Sequence, residues 1–448
     1  MLVNEKMSTQ QTQGLDSYWL PFTPNKYFKQ HPKVVVAAKG AYYTTDAGNQ
    51  LFDCLSGLWC SPIGHAHPKI VEAFSKQAQT LDFAPGFQVG NPTTFKLAER
   101  IAGMAPAGLD RVFFCNSGSE AVDTALKVAI AYHGARGDSK RIRFIGRERG
   151  YHGVGFGGIS VGGMVANRKA FSAAMLPGVD HLPHTWDTAQ MGFSRGQPAW
   201  GAHLADNLER IVALHDASTI AAVIVEPMQG STGVIVPPVG YLQKLREICT
   251  KHGILLIFDE VITGFGRLGE NFGAQKLGVT PDIITFAKAV TNGVIPLGGI
   301  IAKREIYEAF MSINQPEHIA ELFHGYTYTG HPMATAVGLA CLDIFKNEDL
   351  FKRAGELAPV LENAVHSLKG ENGVIDIRNF GLAAAVDLAP FSKPGLRAFK
   401  VFEHGFANKH LFRITADTIS LAPPFISTPQ EVEDMIDGLK TAIRAVKE

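Results

Sequence analysis

Three apolar runs stop on ionisable residues at nearly regular intervals, and that spacing leaves the chain few architectures. Ile-Ala-Ala-Val-Ile-Val (220–225) runs into Glu226, Ile-Leu-Leu-Ile-Phe (254–258) into Asp259, and Asp-Ile-Ile-Thr-Phe-Ala (282–287) into Lys288. The charged ends lie 33 and 29 residues apart, each about one strand–helix–strand unit. Further strand candidates fall at 111–115 and 141–145, and most are followed by a helical stretch. Strands alternating with helices predict an α/β chain whose large-domain sheet is mostly parallel and covered by helices on both faces. Ligands of such open sheets bind beyond the carboxyl ends of the strands, where this trio falls.

Those three side chains suggest a chemistry. Desolvation at the edge of a buried strand disfavours the ammonium form of Lys288 and lowers its pKa. The neutral amine that results is the form that makes a Schiff base with an aldehyde. Asp259, delivered to the same edge, is suited to hold the protonated ring nitrogen of pyridoxal 5′-phosphate (PLP). Read blandly, each residue is only a strand end reaching solvent, which requires three coincidences.

A phosphate needs a seat, and residues 111–120 supply a candidate. The apolar run 111–115 leads through Asn116 into Ser117, Gly118 and Ser119, and then into a segment with helical apolar spacing. Free amides and the positive end of a helix dipole favour an anion there. The competing use is a capping box, Ser117 with Glu120. Gly153-Val-Gly155-Phe-Gly-Gly158 fits the G-x-G-x-x-G pattern, but Arg-Glu-Arg-Gly-Tyr-His precedes it and a Gly-rich stretch follows. A dinucleotide fingerprint needs a strand before and a helix after, so it is rejected. Tyr151 and His152, just upstream, are better placed to stack on or contact a planar cofactor. His65, His67, His181 and His184 have no accompanying carboxylate or cysteine set, and no metal is assigned.

The totals narrow the rest. A chain of 448 residues is too long for one ordinary core. The Gln- and Thr-rich start marks residues 1–16 as a flexible tail. Residues 17–67 read as an arm with a strand pair (34–38 and 41–45), expected to pack with the C-terminal domain. Residues 68–332 form the large domain, and 333–448 a smaller α+β domain with helices at 333–346 and 351–368 and strands at 374–377, 383–388 and 411–421. Glycines cluster at 150–163 and 293–299, which points to backbone turns around a ligand. With 42 basic against 42 acidic residues and no block of one sign, nucleic acid and membrane are not the expected partners. Five scattered cysteines without a CxxC pair, and no apolar leader, suggest the cytoplasm.

With these residues in place, the chain resembles the class III aminotransferases of the fold type I PLP enzymes. The motifs that carry the likeness are 116–120, 151–153, 226–230, 259–267 (Asp-Glu-Val-Ile-Thr-Gly-Phe-Gly-Arg), 286–288 and 326–332 (Tyr-Thr-Tyr-Thr-Gly-His-Pro). Within the class, 19–23, 55–59 and 412–413 look most like the ω-amino acid:pyruvate (β-alanine:pyruvate) transaminases. The resemblance implies Lys288 as Schiff-base lysine and proton shuttle, Asp259 on the pyridine nitrogen, and Glu226 as a carboxylate nearby. It implies Tyr151 and Val261 on the two ring faces, and Ser117, Gly118 and Ser119 on the phosphate, helped by Thr327 of a second subunit. Homodimers at least, possibly paired into tetramers, are thus expected. Arg413 would bind the substrate carboxylate in a pocket walled by Phe22, Trp59, Phe87 and Tyr151. Two positions depart from the wider class: Ser231 where 2-oxoglutarate users carry a glutamate, and Ile262 where many carry a glutamine. The first favours pyruvate as acceptor. A taurine- or polyamine:pyruvate transaminase and a PLP aminomutase remain alternatives. A PLP-binding sensor is disfavoured, because no DNA-binding segment is evident.

Overall fold

The structure is a computed structural model that describes residues 14–448. The tail expected over 1–16 therefore lies mostly outside the described residues, and Leu15–Ser17 form a 3-10 turn.

Three sheets organise the chain. The arm contributes β1 (Val35–Lys39), β2 (Tyr42–Thr45) and β3 (Gln50–Asp53), antiparallel in sequence order. The central sheet takes β4 (Leu109–Cys115), β5 (Arg143–Arg147), β6 (Val179–Leu182), β7 (Ile220–Val225), β8 (Leu255–Asp259), β9 (Ile283–Phe286) and β10 (Gly298–Lys303). Its order is β4-β10-β9-β8-β7-β5-β6. Neighbours from β6 through β9 pair in parallel, while β10 is antiparallel to both β9 and β4. The small C-terminal sheet is β11 (Val374–Asn379), β12 (Ala384–Leu388), β15 (Thr418–Leu421) and β14 (Arg413–Thr415), all antiparallel.

The reason the central strands read as unbroken apolar runs is visible in their burial. Every residue of β7, β8 and β9 is buried, because helices cover both faces. One of them, Gly118–Ala135, lies against β10, β9 and β7. The helix Pro332–Asn347 packs on Pro68–Thr80 and Pro92–Met104, and Leu350–His366 lies on β11 and β12 and packs against Pro429–Ala445.

Two expectations need correction. The strand-like run 411–421 is not one strand: Ala416 takes a left-handed φ of 49°, making the β14–β15 hairpin. Just before it, β13 (His410–Leu411) leaves the small sheet and pairs in parallel with β3, so arm and C-terminal region share a sheet. The glycines at 293–299 are not all ligand turns either. Gly298 and Gly299 belong to β10, where a β-carbon would come within 2.6 Å of the Ser117 and Phe113 carbonyl oxygens. Only glycine lets this antiparallel strand wedge between β4 and β9.

Candidate active site

Parallel pairing brings the strand ends to one rim. Val225 faces Phe258 and Asp259 faces Thr285, so Glu226, Asp259 and Lys288 emerge side by side. Lys288 opens the 3-10 turn Lys288–Thr291 with a left-handed φ of 53°. That conformation is unfavourable for a residue with a β-carbon, a cost typical of functional positions.

One cavity collects most of the expected residues. Gly118, Ser119, Tyr151, His152, Gly153, Glu226, Asp259, Val261, Ile262 and Lys288 line it. Asp259 is fixed from three sides: His152 Nδ1 lies 2.8 Å from Oδ2, while Thr285 Oγ1 (3.0 Å) and the Val261 amide (3.2 Å) donate to Oδ1. Glu226 accepts the Tyr151 amide at 2.9 Å and the Gly230 amide at 3.1 Å, which holds Tyr151 at the cavity wall. Burial pushes the Glu226 carboxyl up to about 7, a rise that His152 opposes and Asp259 adds to. Burial also lowers the Lys288 pKa, against the pull of Cys60, Asp259 and Glu226. The side chain is thereby biased toward the neutral amine.

The helix start at 117 serves two ends at once. Ser117 does cap, accepting the Glu120 amide at 3.2 Å, and Glu120 Oε2 accepts the Asn116 amide at 2.7 Å. The amides of Gly118 and Ser119 still find no acceptor among the described residues. Gly153, with φ 84°, lies so close to Ser119 that a β-carbon would overlap it. The Gly-rich stretch after it is not wholly irregular, since Phe156–Val161 form a short helix. However, the Asp123 carboxylate accepts the Gly158 amide at 3.0 Å and abuts Gly155 and Gly157. An acidic group where a pyrophosphate would rest rules out the dinucleotide reading.

These features suit PLP. Free first-turn amides can take the phosphate, Asp259 can meet a ring nitrogen, and Lys288 stands in the same cavity. His152 Nε2 is buried without a partner among the described residues, a polar atom left over for bound cofactor or water.

The remaining expected residues fall elsewhere. Ser117 is not on the cavity lining but caps the helix that begins there. Trp59 is buried in the segment after β3, and Ser231 sits on the loop after β7, its carbonyl accepting Thr415 Oγ1 at 3.0 Å. Arg413 and Phe22 line a separate apolar cavity of about 360 Å³ between the helices Asn25–Gln30 and Leu396–Ala407. The Arg413 guanidinium makes no hydrogen bond or ion pair among the described residues, yet it is close enough to Tyr151 for each to influence the other's ionisation. Thr327 and Phe87 are both exposed and absent from the cavity lining; Phe87 packs beside Gly325. The histidines set aside as non-ligands have other partners: His65 with Asp53, His67 with Glu348, and His181 with Arg168.

Sequence reading missed Arg147 and Thr285. Strand β5 runs to residue 147, two beyond its expected end, so a fourth neighbouring strand also finishes on an ionisable group. Arg147 is 1% exposed and donates to the Glu226 carbonyl at 2.7 Å. Its signal was present in the sequence as Arg-Phe-Ile-Gly-Arg.

Comparison with known proteins gives a concordant picture. The profile of the family described as aminotransferase class-III matches residues 25–443. An omega-aminotransferase of Caulobacter vibrioides is 53% identical over 433 residues, covering 96% of this chain and 98% of that protein. A beta-alanine–pyruvate aminotransferase of Pseudomonas aeruginosa is 49% identical, covering 97% and 96%. The solved omega transaminase of Pseudomonas jessenii in complex with PMP superposes with a TM-score of 0.91 at 31% identity, covering 98% of each chain.

Proposed function

The chain belongs to the class-III aminotransferases, fold type I enzymes that depend on PLP, and from this we propose that it moves the amino group of an ω-amino acid or amine to pyruvate. The products are an oxo acid or aldehyde and alanine. The observation that carries this reading is the shared cavity of Lys288 and Asp259 at adjacent strand ends. Bound PLP supplies an aldehyde that bonds to amines and a ring that accepts electron density while its nitrogen is protonated.

The protein's own groups do the rest. Lys288, biased toward the neutral amine by burial, would take the proton from the donor carbon as general base and deliver it, as general acid, to the carbon that came from the cofactor aldehyde. Asp259 keeps the ring nitrogen protonated, and its oxygens are aimed by His152, Thr285 and the Val261 amide. The free amides of Gly118 and Ser119, at the helix start that Ser117 caps, would hold the phosphate, with Thr327 of a second subunit as a further donor. Tyr151 and Val261, both on the cavity lining, would take the two faces of the ring. Arg413, with no hydrogen-bond or ion-pair partner among the described residues, offers a bidentate fork to a substrate carboxylate. Phe22, Trp59, Phe87 and Tyr151 are the proposed walls of the donor pocket. Ser231 leaves Arg413 unmasked, which favours pyruvate over 2-oxoglutarate.

Several large apolar side chains stand exposed near Thr327, including Phe323 at 84% and Tyr328 at 56%. They support a homodimer, since patches of this kind mark interfaces. All five cysteines are unpaired, which supports a reducing, cytoplasmic location. A putrescine–pyruvate aminotransferase of Pseudomonas aeruginosa, 35% identical, keeps a polyamine donor as the second reading. The test is the absorption spectrum of purified protein. A band near ~410–420 nm should move toward ~330 nm with β-alanine and return with pyruvate. A band that responds to putrescine and not to β-alanine would overturn the ω-amino acid assignment.

A further inference from the structure

Arg267 is a buried cation with no carboxylate in contact among the described residues. It is 2% exposed, and its guanidinium donates to the carbonyls of Leu382 (3.1 Å) and Pro423 (2.9 Å) and to Ser56 Oγ (3.0 Å). Its backbone carbonyl accepts the Leu382 amide at 3.0 Å. The guanidinium plane lies 4.7 Å from the Phe425 ring centre and 5.9 Å from that of Trp59. One side chain thus joins three parts of the chain: the loop after β8, the segment after β3, and the small C-terminal sheet.

The segment it grips is under conformational load. Ser56, Gly57 and Trp59 all have left-handed φ values, 49°, 67° and 66°. Conformations this sparse persist only when their surroundings over-determine them. The surroundings do so from both ends. Ser56 Oγ donates to the Ala422 carbonyl at 2.8 Å, and the Ala422 and Phe425 amides donate to the Cys54 and Pro62 carbonyls at 2.8 Å. At the other end, Asn292 accepts the Ile63 amide (2.9 Å) and donates to the Gly64 carbonyl (2.7 Å), while its own carbonyl accepts Ser61 Oγ (3.2 Å). Asn292 stands four residues beyond Lys288. The Trp59 segment is therefore stretched between the Lys288 turn and Arg267.

We propose that Arg267 is a positioning residue that fixes the Trp59 indole relative to Lys288, and so sets which amine donors fit. This rests on Trp59 forming a wall of the donor pocket. A charge buried on carbonyl and hydroxyl acceptors alone is costly, and burial pushes this guanidinium down to about 9. A cheaper apolar residue would fill the same space but could not satisfy three acceptors in one plane.

The test uses the holoenzyme with R267K and S56A. Lysine keeps the charge but not the planar fork, and S56A removes one acceptor while leaving the guanidinium buried, so folding is not put at risk in both. The donor KM for β-alanine and 1-phenylethylamine should rise about tenfold in R267K and about threefold in S56A, with kcat held within about twofold. In 5-fluorotryptophan-labelled protein, the Trp59 fluorine resonance, assigned with W59F, should shift or broaden while those of Trp19, Trp186 and Trp200 stay put. An unmoved Trp59 resonance, or an unchanged donor KM, overturns the proposal. W59F kinetics separate the two layers. An unchanged donor KM in W59F removes Trp59 from the pocket itself, whereas a changed one with S56A and R267K silent removes only the role of Arg267.

Discussion

At the scale of single residues, charge and burial pull against each other around the cavity, and both leave measurable traces. Arg413 has no acid to pair with among the described residues, so its worth should appear when a substrate brings one. Arg413→Ala should lower kcat/KM for β-alanine by ~10²-fold, as for loss of a charge-assisted fork of about 3 kcal/mol, and change 1-phenylethylamine far less. Equal losses for both donors would remove Arg413 from the carboxylate site. Glu226 carries a second prediction. Its carboxyl is raised to about 7 in the folded chain from an ordinary 4.5, so the folded state holds this proton more tightly. The resulting stability is complete below about pH 4.5 and disappears as pH rises through about 7, up to about 3 kcal/mol in all. Cofactor-free protein should accordingly melt at falling temperature from pH 5.5 to 8.5, and Glu226→Gln should flatten that slope. Glu260, also raised to about 7 by burial, acts in the same direction and leaves a residual slope. Wild-type and E226Q curves of equal steepness would contradict the shift. Lys288, Asp259 and Glu226 could be read from sequence because each terminates an apolar run. The bond from His152 to Asp259 could not, since it spans 107 residues and depends on the order of strands in the sheet.

At the scale of elements, legibility followed burial. Strands β7, β8 and β9 are covered on both faces and announce themselves as unbroken apolar runs. Strand β6 pairs with β5 alone at the sheet's edge and carries Asp180 and His181, so its pattern is too polar to stand out. Strand β10 opens on two glycines, because close packing forbids a β-carbon there, and its sequence mimics a loop. The small sheet hides a different feature. Arg378 is 4% exposed and bonds to Asp387 through both terminal nitrogens at 2.8 Å, with Asp376 on the same guanidinium at 2.5 Å. Its Nε also donates to the Gly233 carbonyl at 2.9 Å, fastening the small sheet to the loop that holds Ser231. Replacing it by methionine strands two buried carboxylates. Arg378→Met should cost about 3–5 kcal/mol in urea unfolding, with β11 and β12 amides losing exchange protection before those of β7 and β8. A loss below about 1 kcal/mol would mean that the two aspartates find other donors or protonate at little expense.

At the scale of the whole molecule, the proposed site is divided between two chains, and that division can be tested without a structure of the assembly. Lys288 and Asp259 line the cavity of their own chain, while Thr327 lies exposed outside it. If Thr327 serves the cavity of a partner, two inactive proteins should rescue each other. Lys288→Ala lacks the amine but carries an intact Thr327. Thr327→Asp keeps the amine but sets an acid against the partner's phosphate seat. A mixed dimer then contains one site with both defects and one site with none, because the sound Lys288 meets the sound Thr327. Random reassortment makes about half of the dimers mixed, so unfolding and refolding an equal mixture should restore about a quarter of the wild-type specific activity. Each variant refolded alone should stay inactive. If Thr327 instead serves its own chain, every site in every mixture keeps one defect and no activity returns, which would also remove the main reason for expecting the exposed aromatic patch at Phe323 and Tyr328 to be covered by a second copy.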